Sequence, residues 1–214
     1  MTSVPRAQAQ PMGDWRRRSG IAQDVLLVLL SGFFAFTHLQ RALDGQFTSV
    51  FFAIEQSFLV LMFLTRRRSD RTSNRPLDWL VATLGGWLPL AFQPVDGVGF
   101  GLSLGGSALQ FGGLALTLVA FAYLGKSFGV VAADRGIKIN GPYRLIRHPV
   151  YFSHFLTTTG FLIANPGPIN AALFAVIWTC QVLRIRAEER ILTENIDYQR
   201  YRGRVRWRLL PGVY

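Results

Sequence analysis

Two stretches of the chain carry residues able to do chemistry together. The first is Gly141-Pro142-Tyr143-Arg144-Leu145-Ile146-Arg147-His148-Pro149-Val150-Tyr151. The second is Arg184-Ile185-Arg186-Ala187-Glu188-Glu189-Arg190, followed by Tyr198, Tyr201, Arg204, Val205 and Pro211. In the first, Gly-Pro sets a turn. A residue before proline is biased away from the helical region, and proline suits the first turn of a helix. Arg147 and His148 are therefore expected at a helix N-terminus, where free backbone N–H groups favour an anionic ligand group. In the second stretch, Glu188 and Glu189 lie close to a helix end, where negative charge is mildly unfavourable. That cost points to a partner, either the neighbouring arginines or a cationic ligand.

Taken singly, each feature has a plainer role. His148 serves equally as a helix cap or interface histidine. The glutamate pair alone reads as a solvated salt-bridge cluster, and the arginines as topology signals and lipid-headgroup contacts. The elements between them change this. Apolar runs at 150–165 and 168–184 are separated only by Asn165-Pro166-Gly167-Pro168. Two prolines around a glycine cannot continue a helix, so the spacing predicts a tight helical hairpin. A hairpin brings Arg147–His148 and Glu188–Glu189 to the same face.

Four more apolar segments precede the hairpin, at about 21–38, 47–65, 77–93 and 104–125. Each of the six approaches the ~20 residues that cross a hydrocarbon core, with 77–93 and the two hairpin arms short. Half of the 214 residues are hydrophobic, yet the formal net charge is +11. The charge comes in bursts between apolar stretches. If the N-terminus is cytoplasmic and all six segments cross, 22 of the 23 lysines and arginines fall on the cytoplasmic side and only Arg41 outside. Such asymmetry is the positive-inside pattern, and it favours both termini inside. A nucleic-acid partner is not expected, because no basic face or binding module stands outside the loops.

The expected fold is all-α: a polytopic membrane helical bundle with a C-terminal hairpin and a cytosolic tail. Its expected divisions are a basic N-terminal tail (1–20), a four-helix transmembrane region (21–125) and a cofactor-binding region (126–214). Arg16, Arg17 and Arg18 precede an apolar run as in a signal peptide. No small-residue cleavage site clearly follows, so the run is read as an uncleaved first span. Cys180, a single thiol, forms neither an internal disulfide nor a cysteine metal cluster, and is expected as a small buried residue. No metal-ligand cluster is visible, so no metal is expected. Ala108 and Gly112, four apart within a span, are expected at a close helix contact. Glu55, followed by Gln56, lies near the middle of the second span. An ionisable group there is costly, so Glu55 either lines an acceptor tunnel or bonds to a neighbouring helix. His154, one turn after Tyr151, faces either the same pocket or the core.

Together, Gly141-Pro142-Tyr143-Arg144, Arg147-His148-Pro149-x-Tyr151, Asn165-Pro166, Glu188-Glu189, Tyr198, Tyr201, Arg204-Val205 and Pro211 resemble the isoprenylcysteine carboxyl methyltransferase and phospholipid methyltransferase superfamily. The resemblance covers about residues 123–214. It implies a membrane-embedded enzyme using S-adenosylmethionine, held in a cytosol-facing pocket closed by the C-terminal tail. Carried across, Tyr143, His148, Pro149, Tyr151, Glu188, Glu189 and Tyr201 form the cofactor site, with Glu189 and Glu188 on the cofactor's amino group. Arg147 and Arg204 orient an anionic acceptor such as a carboxylate. Asn165 matches a family position at the far end of the hairpin and is expected to be structural. Ser153 stands where the family often has glycine. The small size is similar to bacterial members, implying the inner membrane and a lipophilic acceptor: an isoprenoid carboxylate, a lipid or a small thiol. Two other readings fit part of the pattern. Membrane NADPH-dependent sterol or enone reductases also carry an arginine-histidine motif before a hairpin, but usually have Asn where Val150 stands. A non-enzymatic membrane protein or small transporter would have no nucleotide-like cofactor.

Overall fold

The computed structural model describes residues 14–44, 48–65, 72–95, 97–127, 131–134 and 136–214. The chain is all-helical. In order come α1 (Asp14–Leu43), α2 (Thr48–Thr65), α3 (Pro76–Trp87), α4 (Phe100–Leu124), α5 (Pro149–Ala164), α6 (Pro168–Leu192) and α7 (Ile196–Arg204). Among the described residues the extended pairing is an isolated bridge between Thr72 and Ala133. The basic residues Arg6, Arg66, Arg67, Arg68, Arg71 and Arg135, which weigh in the charge asymmetry, lie outside the described residues.

Among the described residues three helices are long and apolar enough to cross a membrane: Val25–Leu43 within α1, α4 and α6. Their outer faces carry Leu29, Phe33, Phe36, Leu104, Val119 and Val176, all exposed. Apolar surface on this scale is unstable in water and is at rest against lipid. The chain is an integral membrane protein. Ala53–Thr65 of α2 forms a shorter apolar helix. The segment expected at 77–93 is shorter than it looked: α3 stops at Trp87 and a 3₁₀ turn, Leu88–Ala91, follows. Pro89 is the cause, since it lacks an N–H and clashes with the preceding turn. With ~1.5 Å of rise per residue, the 12 residues of α3 and the 16 of α5 fall short of a ~30 Å hydrocarbon core. α3 packs on α6, and α5 on both α4 and α6.

The tightest seam joins α4 to α5. A Cβ at Gly106 would stand 2.6 Å from Ala164 N and Gly160 O. One at Gly160 would stand 2.5 Å from Gly106 O, and one at Gly113 2.6 Å from Thr157 N. Backbones this close exclude any side chain. The small-residue contact is therefore made by Gly106, Gly113 and Gly160, not by Ala108 and Gly112. Both of the latter are exposed, and a Cβ at Gly112 meets nothing within 4 Å. The error is one of helical phase, because sequence spacing does not say which face meets the neighbour. Ser153, wholly buried in this seam, accepts a 2.9 Å bond from Thr117 Oγ1 and donates to Val150 O at 2.8 Å.

The hairpin is present as expected. α5 ends at Ala164 and α6 begins at Pro168. Its tip is clasped to the segment after α3. Asn170 Oδ1 accepts from Gln93 N at 3.0 Å, and its Nδ2 donates to Gln93 O and Asn165 O, each at 2.8 Å. Asn165 Oδ1 accepts from Val95 N at 3.0 Å. Asn165 thus has the structural place expected of it. Cys180 is buried and free on α6, its Cβ near Gly85 of α3.

Candidate active site

At the other end of the hairpin, the chain from Gly141 to Pro149 makes a 3₁₀ turn (Gly141–Arg144) and then starts α5. Gly141 has φ +60°, and Tyr123 leaves no room for a side chain there, so glycine is required. His148 stands at the N-cap of α5 outside the helical region (φ −125°, ψ 62°), and Pro149 opens the helix. The C-terminal tail runs alongside. Arg147 N donates to Trp207 O at 3.0 Å and His148 N to Arg208 O at 2.9 Å. The tail therefore takes two backbone donors that the sequence left open for an anion.

Arg147, His148 and Glu189 are all buried, at 7 %, 5 % and 5 % exposure. Burying charge costs several kcal/mol per ion unless it is paired and hydrogen-bonded. Glu189 supplies the pairing. Its Oε1 lies 3.2 Å from Arg147 Nη2 and 3.3 Å from His148 Nε2, and accepts from Tyr198 OH at 3.2 Å. Its Oε2 accepts from Arg208 Nε at 2.7 Å. The unfavourable position of this carboxylate in the last turn of α6 is thus offset by two arginines, a histidine and a tyrosine. Glu188 faces elsewhere. It accepts a hydrogen bond from Tyr151 OH, and its Oε2 lies 3.7 Å from His148 Nδ1. His148 sits between the two glutamates, edge-on to Tyr151.

Above this hub lies a cavity of about 540 Å³, lined at one end by Tyr143, Arg147, His148, Pro149, Tyr151, Glu188 and Tyr201. The volume falls within the ~300–1,000 Å³ of small-molecule sites. Seven of the nine residues singled out in the sequence thus share one cavity. Glu189 does not line it; it stands behind, holding the residues that do. Arg204 is exposed on α7 and also lies outside the lining. Two arginines that the sequence reading did not single out have clearer places. Arg184 lines the cavity and lies over the Tyr151 ring, 5.3 Å from its centroid. Its spacing of four from Glu188 was a usable signal, since i and i+4 share a helix face. Arg208 carried no such signal within a tail of several arginines.

Among the described residues two donors of Arg147, Nε and Nη1, are buried without a hydrogen-bond partner. A buried guanidinium with unused donors is suited to a carboxylate. The phenols stay protonated. Burial pushes Tyr143, Tyr198 and Tyr201 above the ordinary tyrosine range, reinforced by Glu188 at Tyr143 and by Glu189 at Tyr198 and Tyr201, with Arg147 acting the other way on the last two. Tyr201 OH donates to Tyr143 O at 2.7 Å, fixing α7 to the motif. The Arg208 guanidinium is held above its ordinary value chiefly by its bond to Glu189.

The fold and the site define a helical membrane protein with a small-molecule cavity lined at one end by the start of α5, the end of α6 and α7. Residues 96–199 match the family model described as phospholipid methyltransferase. Over those residues the chain is similar to that family and to the superfamily it shares with the isoprenylcysteine carboxyl methyltransferases. The family match and the apolar helices together support a membrane methyltransferase. No curated protein matches the chain.

Proposed function

We propose that the chain transfers a methyl group from S-adenosylmethionine to a lipophilic acceptor, at the end of the cavity where Arg147, His148 and Glu188 meet. The observation that carries this reading is the pairing, in one cavity, of a carboxylate (Glu188) with two unused buried donors (Arg147 Nε and Nη1). S-adenosylmethionine presents an ammonium, a carboxylate and a flat adenine, and these residues with Tyr143, Tyr151 and Tyr201 offer an acceptor, donors and an aromatic wall. When bound, the cofactor supplies an electrophilic methyl group on a sulfonium.

The protein's own part is positioning. Tyr151 OH fixes the Glu188 carboxylate, His148 separates it from Glu189, and Glu189 holds Arg147 in the cavity wall. In-line displacement needs alignment more than acid–base power, and alignment is worth up to ~7–11 kcal/mol of barrier. The tail is held beside this end by its own carbonyls, which accept from the backbone N–H groups of Arg147 and His148. In this reading residues 126–214 form the cofactor-binding region, both termini are cytoplasmic, the protein resides in a bacterial inner membrane, and the acceptor enters from the bilayer. Arg204, exposed on α7, is kept as a candidate for acceptor contact at the tail.

The test is thermal stabilisation of the protein purified in detergent. S-adenosylhomocysteine should raise the melting temperature and NADPH should not. Stabilisation by NADPH alone would assign the cavity to a reductase, and stabilisation by neither would remove the enzyme reading.

A further inference from the structure

A buried node ties the start of α3 to the end of α6. Asp78, in the first turn of α3, is buried and ion-paired with Arg190 of α6, and the Ser73 hydroxyl donates to the same carboxylate oxygen. Ser73 is itself buried. Its Oγ accepts from Arg75 N at 3.3 Å, its carbonyl accepts from Trp79 Nε1 at 2.9 Å, and its N–H donates to Ala132 O at 3.0 Å. Beside it, Thr72 pairs with Ala133. Asp78 and Ser73 both precede residue 96, outside the family match.

Two arms run from this node to the cavity. The first is Arg190. Successive residues of a helix point about 100° apart, so Glu188, Glu189 and Arg190 leave α6 in three directions. Glu188 lines the cavity, Glu189 makes the ionic hub with Arg147, and Arg190 meets α3. Arg190 stands ~200° around the helix from Glu188, on its far side. A pair made there fixes the rotation of α6 about its axis, and with it the carboxylate that the cavity receives. The second arm is Ser73. Ala132 and Ala133 belong to a segment whose Val131, Ala133, Ile137 and Lys138 line the cavity. Ser73 holds one edge of that segment and α7 the other: Asn195 Nδ2 donates to Asp134 Oδ2 at 3.0 Å, and Ile137 packs against the cluster of Tyr198, Tyr201 and Val205.

We propose that Asp78 is a positioning residue of the methyl-donor site: through Arg190 it sets the rotation of α6 that presents Glu188 to the cavity, and through Ser73 it holds the cavity wall at 131–138. As an ion pair it adds little to stability, because Arg190 is partly exposed. Its effect is on direction. The inference rests on the reading of that end of the cavity as the methyl-donor site, and its test separates the two.

The full chain is purified in detergent and titrated calorimetrically with S-adenosylhomocysteine, and amide hydrogen exchange is followed by mass spectrometry. Asp78→Asn keeps the side-chain shape and the contact with Ser73 but releases Arg190. It should weaken binding at least ~10-fold, the effect of losing one hydrogen bond to a charged group at Glu188, and speed exchange over residues 186–192. Arg190→Gln should do the same, and carries the test if Asp78→Asn does not fold. Ser73→Ala should weaken binding by a smaller factor and speed exchange over residues 131–138. Asn170→Ala, at the hairpin tip, is the control. It should lower the melting temperature more than Asp78→Asn does, yet leave affinity within about two-fold, as expected of a distant site. Wild-type affinity in folded Asp78→Asn or Arg190→Gln would overturn the proposal, as would an equal loss of affinity in Asn170→Ala. A wild type that ignores S-adenosylhomocysteine, while Asp78→Asn still frees residues 186–192, would instead sink the methyl-donor reading and leave the rotational pin standing.

Discussion

Arg208 and Glu189 meet across the tail: the arginine Nε donates to the carboxylate Oε2 at 2.7 Å, while the other oxygen is taken by Arg147, His148 and Tyr198. One carboxylate thus links α6, the start of α5, α7 and the tail. Removing its charge leaves Arg147 buried without a counterion.

Glu189→Gln is therefore expected to cost roughly 3–5 kcal/mol of stability, the range for breaking a buried pair. Arg208→Gln, whose side chain is partly exposed, should cost about 1 kcal/mol. The double variant should fall short of the sum, because both changes break the same bond. Denaturant titration in detergent for the four proteins checks this.

Much of this hub was legible beforehand. Pro149 after His148 announced the start of α5, and Asn165-Pro166-Gly167-Pro168 announced the hairpin that folds Glu188–Glu189 back onto Arg147–His148. The division of labour between the two glutamates was not. Adjacent residues on a helix point about 100° apart, so which one faces the cavity depends on how α6 is rotated, and only packing against α3 and α5 sets that. The same limit explains Gly106 and Gly113 in place of Ala108 and Gly112. Arg204 carried a motif match and Arg208 none, yet it is Arg208 that the chain after α7 brings onto Glu189.

The α4–α5 seam gives a sharp contrast between neighbouring glycines. Gly113→Leu should destabilise the protein by ~1–3 kcal/mol or more through overpacking. Gly112→Leu, facing open space, should stay within about 0.5 kcal/mol. Midpoints of thermal unfolding in one detergent distinguish them.

At the hairpin tip, Asn170→Ala removes three hydrogen bonds from a residue only 2 % exposed. At roughly 0.5–1.5 kcal/mol each, the expected loss is about 2–4 kcal/mol. The tip is at the opposite end of α5 from His148, so affinity for S-adenosylhomocysteine should change by no more than about two-fold at temperatures where the variant is folded.

Alkaline pH tests the buried phenols. Tyr198 and Tyr201 are raised by burial above the ordinary tyrosine value of 10.0 in the folded state. Their stabilising contribution is complete below that value and is lost as pH rises toward the folded pKa, since the unfolded chain releases those protons first. The melting temperature should fall above about pH 10, and Tyr198→Phe should flatten the fall. A phenolate absorbance titration of the folded protein should show these two tyrosines silent where exposed ones ionise.

The central claim is that Arg147 and Glu188 hold a methyl donor in the cavity, and calorimetric titration of the detergent-purified protein with S-adenosylmethionine tests it most directly. The expected result is one site per chain, weakened at least ~10-fold by Glu188→Gln and by Arg147→Ala, and by less than about two-fold by Arg204→Ala on exposed α7. Absence of binding to the wild type, or equal weakening by all three substitutions, would contradict it.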